Sequence, residues 1–318
     1  MMKPPGWRAE DPRRTPITLR AAYVAAGYND RALQRMVTRG ELAKPRRGAY
    51  VAAGVWSDLD AAGRHAVRAR AVLLQAGAPV ALSHTSGVVE YDGPLQDIPL
   101  DDVHLTRLDA RAGRKEAGVC QHRGTVLPGD VVERNGVPVM SPARLALEVT
   151  TLVRPEVALG VVNHFLHTRL TTREEVVTRY AGMSAWPRTL ATDLVLRLSD
   201  LRVESVGESR CVWLFFQQGL PAPIPQYVVR DAWGREVARV DFAWPELGIF
   251  LEFDGRVKYE KLLKPGQRAS DVVIAEKKRE ELVCRITGWR CIRLTWADLQ
   301  HPERTAEMLR TYLRPVVA

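Results

Sequence analysis

Cysteine is scarce: four thiols (Cys120, Cys211, Cys284, Cys291) are spread over 318 residues, and no two form a C-x-x-C pair. Neither a dense disulfide framework nor a structural zinc is therefore indicated, and a reducing compartment fits best. Long apolar runs are missing too. No stretch approaches the ~20 residues of a membrane-spanning helix, and the opening MMKPPGWRAEDPRRTP lacks an apolar leader core, so the expectation is a cytoplasmic chain with no membrane partner. Acidic charge is also in short supply, with 37 Asp plus Glu against 46 Lys plus Arg and a net charge of +9. At 46% hydrophobic and 26% charged the composition is that of a globular protein, which excludes global disorder.

The length suggests two or three domains, and the overall reading is an α/β (α+β) multi-domain chain. The basic excess is concentrated at the start: residues 1–50 hold 11 basic and 4 acidic side chains, so a polyanion is the natural partner there. Residues 1–16, basic and broken by proline, read as a flexible arm. In residues 17–56, Thr18 is placed to cap a helix that Gly27 ends, and Asn29 or Asp30 to cap a second, RALQRMVTRG, closed by Gly40. In that second helix Leu33, Met36 and Val37 form one stripe, leaving Arg31, Gln34, Arg35, Thr38 and Arg39 on the free side. ELAKPRRGAYV then reads as two short strands around a basic turn bearing Lys44, Arg46 and Arg47. Helix, turn, helix and basic hairpin is the layout of a winged helix-turn-helix, whose two basic elements would meet bases and phosphates of double-stranded DNA.

Residues 57–200 read as a mixed α/β middle region. Ser83, His84, Thr85 and Ser86 could suggest a nucleophile and base, but adjacent residues on one helical turn diverge and no carboxylate at helical spacing orients His84; a helix start with polar packing is the better reading. His164 and His167 lack any H-E-x-x-H context, so no metal is expected there. Residues 17 to about 168 resemble the AbiEi-type antitoxin family of abortive-infection systems, in GYNDRALQRMVTRGELAKPRRGAYV, LSHTSGVVEYDG and VPVMSPARLALEVTTLV. The resemblance implies an operator-binding regulator in this half, with a cognate toxin as partner.

Residues 201–318 change character, to an α-β-β-β-α-β-α order. Asp241 and Glu252 are equidistant from the Glu246–Leu247 bond, so an even-length hairpin loop centred on WPELG makes them cross-strand partners. Period two puts Asp254 on the face of Glu252 and Arg239 on that of Asp241, with Val240, Phe242, Trp244, Leu251 and Phe253 opposite, as core. Acids crowded on one patch repel one another, and a hard divalent cation, Mg²⁺ or Mn²⁺, is the simplest occupant. This segment resembles the PD-(D/E)XK nuclease superfamily, in the branch related to very-short-patch-repair endonucleases. The resemblance rests on VGESRCVWLFFQQGLPAP, VARVDFAWPELGIFLEFDG and EKKREELVCRITGWRCIRLTWADL. It implies Glu208 as the acid of the first helix, Asp241 as the central metal ligand, Glu252 as the acid of the E-x-K motif, and the Phe253 carbonyl as a further ligand. Asp254 stands where the family usually has Lys, so either a displaced cation (Lys258, Lys277 or Arg239) takes its role or the centre holds metal and cuts poorly. The expected function is DNA binding with Mg²⁺-dependent endonuclease chemistry, in phage defence or a toxin–antitoxin pair. Its rival is a non-catalytic AbiEi-type repressor with a degenerate nuclease domain.

Overall fold

The computed structural model describes residues 6–183, 186, 189–255 and 269–313. They build a mixed α/β architecture with three sheets. The chain divides into two compact units, Met1–Val161 with Thr168–Asp193, and Val162–His167 with Leu194–Ala318. The helix–helix–hairpin segment and most of the middle region therefore share one unit, and the second combines Val162–His167 with a stretch that begins at Leu194, a few residues before 201.

In the first unit β1 (Thr18–Leu19) leads into α1 (Arg20–Ala25), α2 (Asp30–Thr38), β2 (Leu42–Arg46) and β3 (Ala49–Ala52), with sheet order β1-β3-β2. Asn29 caps α2, its side chain accepting from the Ala32 N–H at 2.9 Å, while the buried Leu33 anchors the helix. Thr18 does not cap α1. It pairs with Tyr50 in the sheet, because the extended Thr-Leu pair completes the hairpin's open edge.

Residues 6–16 are not a free arm. Trp7 is buried, its indole N–H donating to Asp92 at 3.0 Å and its backbone N–H to Asn135 at 2.7 Å, and the guanidinium groups of Arg13 and Arg70 lie over the ring at 3.8 and 4.7 Å. Burial of the Trp7 ring, its two hydrogen bonds and the two guanidinium groups over it together oppose the disorder that proline and charge favour. After α3 (Ala53–Asp58) and α4 (Ala61–Leu74) comes the six-stranded sheet. It consists of β4 (Val80–Leu82), β5 (Val103–Arg107), β6 (Lys115–Glu116), β7 (Val119–His122), β8 (Val131–Arg134) and β9 (Val137–Met140), in the order β6-β7-β5-β4-β9-β8. α5 (His84–Glu90) and α6 (Pro142–Thr150) pack as buried helices, followed by α7 (Pro155–His167), α8 (Arg173–Ala181) and α9 (Leu190–Leu198).

The second unit carries α10 (Val206–Gln217) and β10 (Ile224–Arg230), β11 (Glu236–Trp244), β12 (Ile249–Asp254) and β13 (Arg290–Thr295), in sequential order. The first two pairings are antiparallel and β12–β13 is parallel, with the helix Ala269–Thr287 between them as the crossover. Both faces of this sheet are covered. Phe215, Phe242, Trp244, Leu251 and Leu294 form one cluster with Leu309 of the helix Pro302–Tyr312; Val229, Val240, Ala243 and Phe250 form another around Val283.

Candidate functional site

The hairpin register runs Trp244↔Ile249, Ala243↔Phe250, Phe242↔Leu251, and the next step along it sets Asp241 opposite Glu252. The backbone ladder stops there. In place of a ladder carbonyl, the Asp241 carboxylate accepts from the Phe253 N–H at 2.8 Å, so the side chain sits in the fork where the two strands part. Alternation also breaks at this point: Val240 packs on the cluster around Val283, whereas Phe242 packs on Phe215 of α10. The shared face expected for Val240, Phe242 and Trp244 thus holds for the last two alone. Opposite the break, Gln226 adopts a left-handed backbone at φ 50°, a conformation that a side chain other than glycine accepts only at a cost.

That Gln226 joins two of the expected acids, donating to Glu208 at 3.0 Å and, more weakly, to Asp241 at 3.5 Å. Glu208 is buried at the start of α10 and accepts further bonds from the Glu204 N–H (3.0 Å) and the Ser205 hydroxyl (2.6 Å). Burial, and then the neighbouring Asp241 charge, raise its pKa above the usual carboxylate value. Glu252, also buried, meets the guanidinium of Arg279 at 3.3 Å. Asp254 Oδ1 is buried without a hydrogen-bond partner among the described residues. Of the cations considered for the displaced lysine, Arg239 pairs with Glu204 at 2.8 Å, Lys277 is exposed, and Lys258 lies outside the described residues. Arg279 is a cation that pairs with one of these acids, Glu252, and nothing in the spacing of the acids points to it. The acids line the fork in sequence rather than closing on one point: no trio of them brings its oxygens within 4.8 Å of one another among the described residues.

On α2 the side chains of Arg31, Gln34, Arg35, Thr38 and Arg39 are exposed, and Met36 and Val37 face inward beside Leu33. Lys44 and Arg47 are exposed on the hairpin; Arg46 is half-buried and donates to Gln75 at 2.9 Å. Arg39 stands 3.9 Å from Glu41.

A third set of residues gathers beside His84, with partners that its local sequence does not reveal. His84, with φ 49°, donates its backbone N–H to Glu148 of α6 at 3.0 Å and stacks its ring on His122 at 3.8 Å. His104 Nδ1 and His122 Nε2 share a hydrogen bond of 2.8 Å, and the Cys120 thiol joins them in a group whose three ligand atoms lie within 4.8 Å of one another. Burial lowers His104 and His122 to about 4 each and drives His84 well below its ordinary value, so all three are neutral imidazoles near pH 7. His84, His122, Thr106, Arg144, Glu148 and Trp186 are among the residues lining a cavity of about 610 Å³. Arg144 is almost wholly buried, pairs with Glu148 (2.9 Å) and Asp130 (3.1 Å), and lies over the Trp186 ring at 4.2 Å. Glu148, 64 residues from His84, is the carboxylate that no helical spacing could reveal. The usable signal was strand alternation, which puts Cys120 and His122 on one face of β7.

No family model matches the chain. Two uncharacterized proteins of Mycobacterium tuberculosis, MT2308 of strain CDC 1551 and Rv2248 of strain H37Rv, are each 28% identical to it over 153 residues, which is 44% of this chain and 56% of theirs. The chain thus spans little more than half the length of these curated relatives. No described helix is long and apolar enough to cross a membrane.

Proposed function

We propose that the protein acts on double-stranded DNA, docking through α2 and the β2–β3 hairpin and hydrolysing a phosphodiester at the carboxylates of the second unit. The observation that carries this reading is the fork between β11 and β12. There Asp241 is bonded to the Phe253 backbone, linked through Gln226 to a buried Glu208, and flanked by Glu252 and Asp254. A donor set made of carboxylate oxygens, one of them on Asp254 buried without a hydrogen-bond partner among the described residues, suits a hard divalent cation. Asp241 and Glu252 would hold Mg²⁺ or Mn²⁺, with Glu208 on the near side. The bound ion supplies charge neutralisation at a phosphate oxygen and a water of lowered pKa. Gln226 donates to the carboxylates of both Glu208 and Asp241 and so fixes their positions relative to each other. Arg279 supplies the positive charge next to Glu252 that Asp254 cannot.

That same Arg279 contact favours a second reading. If the guanidinium already neutralises Glu252, the fork is complete without metal and the protein is a repressor or antitoxin bound to its operator and a cognate toxin. Purified protein incubated with supercoiled plasmid in Mg²⁺, Mn²⁺ or EDTA, beside an Asp241→Ala, Glu252→Ala double variant, separates the two. Nicking lost in EDTA and in the double variant is expected. Nicking that survives either, or DNA binding with no nicking at all, sinks the nuclease reading.

A further inference from the structure

We infer that His104, Cys120 and His122 form a binding site for a borderline-soft divalent cation of the zinc class, separate from the carboxylate fork. The site follows from strand register. β5 and β7 are parallel neighbours with His104 beside Cys120 and Thr106 beside His122, so period two brings His104, Cys120 and His122 to one face of adjacent strands. Their ligand atoms fall within 4.8 Å of one another, a spread that small side-chain rotations close around a tetrahedral ion with Zn–N and Zn–S bonds of roughly 2.0 and 2.3 Å. The His104–His122 contact accounts for one nitrogen of each ring, and the free Cys120 thiol stands within 4.8 Å of both. A cation replacing the shared proton uses all three donors at once.

The donor chemistry sets the class of ion. Two imidazole nitrogens and a thiolate are poor ligands for Mg²⁺ and good ones for Zn²⁺ or Co²⁺. The backbone and ring positions of the donors are held by their neighbours: Ser86 accepts from the His104 backbone N–H at 2.8 Å, Lys115, which pairs with Asp102 at 2.6 Å, lies opposite Cys120 in the sheet, and His84 stacks on His122. Three protein donors leave the fourth position of a tetrahedron open. Of the three donors, His122 also lines the 610 Å³ cavity.

Co²⁺ titration of the full chain in excess Mg²⁺, which keeps the carboxylates occupied, tests this directly. One equivalent should give the visible bands of tetrahedral Co²⁺ with a thiolate charge-transfer band, and Zn²⁺ should displace it. Cys120→Ser, with its circular dichroism unchanged, should lose the charge-transfer band and bind at least tenfold more weakly; His122→Asn should lose the tetrahedral bands. If Cys120→Ser fails to fold, melting of the wild type with EDTA and then with Zn²⁺ decides: an increment restored by Zn²⁺ and not by Mg²⁺ is expected. A wild type that binds no Co²⁺, or a charge-transfer band that persists in Cys120→Ser, overturns the proposal.

Discussion

At Gly207 the Phe253 ring lies so close to α10 that a Cβ would overlap it. Alanine is worth about 1 kcal/mol over glycine inside a helix, but overpacking a filled site costs about 1–3 kcal/mol. Gly207→Ala should therefore lower stability in chemical denaturation, and a gain would mean that the ring moves aside freely. The flanking Glu208 makes the same substitution a probe of the fork, since displacing Phe253 shifts the N–H that holds Asp241. His65 gives a pH test. Its Nδ1 donates to the Leu100 carbonyl at 2.9 Å, so Nε2 must accept from the Ser86 hydroxyl at 2.8 Å, and burial lowers its pKa below the ordinary 6.5. Between the lowered native value and 6.5 the unfolded chain binds a proton that the native state refuses. Stability therefore falls as pH drops below about 6.5. The melting temperature should decline from about pH 7.5 to pH 5, and less steeply in His65→Gln; identical slopes would remove His65 as the cause.

Single elements were the most legible scale. The strand 224–230 and the stripe of Leu33, Met36 and Val37 were readable because alternation and helical period are local properties. What escaped was long-range. The Trp7 clamp joins the chain start to Asp92 and Asn135, Glu148 reaches back to His84, and Arg279 crosses from its helix to Glu252. The Asp241–Glu252 register could be read from hairpin symmetry, but the break in alternation beside Gln226 could not, because it depends on packing against two different helices. The exposed face of α2 supports a prediction at this scale. Arg31, Arg35 and Arg47 are exposed, and each phosphate contact contributes about 0.9 to the slope of log affinity against log salt. Their joint replacement by Ala should weaken duplex binding and flatten that slope, with Arg47 acting alike on all sequences and Arg35 more on preferred ones. A triple variant with an unchanged slope would assign this face to protein contacts.

For the whole molecule, two compact units with separate cores allow two melting steps, and each proposed cation should act on its own step. A ligand that binds the native state at 100 times its Kd adds about 2.7 kcal/mol. Mg²⁺ or Mn²⁺ should then raise the transition of the unit that holds Asp241, Glu252 and Asp254, while Zn²⁺ raises that of the unit with His104 and His122. Asp254→Asn sharpens the first half of this test. Asp254 Oδ1 is buried without a hydrogen-bond partner among the described residues, and Glu252 lies two residues before it on the same strand, so removing its charge relieves repulsion and the variant should melt no lower than wild type without metal. If Asp254 is a ligand, the variant also loses most of the Mg²⁺-dependent increment. If it only stands in the lysine's place, with Arg279 supplying the charge, the increment survives. A wild-type transition that ignores millimolar Mg²⁺ and Mn²⁺ would leave the fork as a structural hydrogen-bond network in which Gln226 ties Glu208 to Asp241 and Arg279 pairs with Glu252.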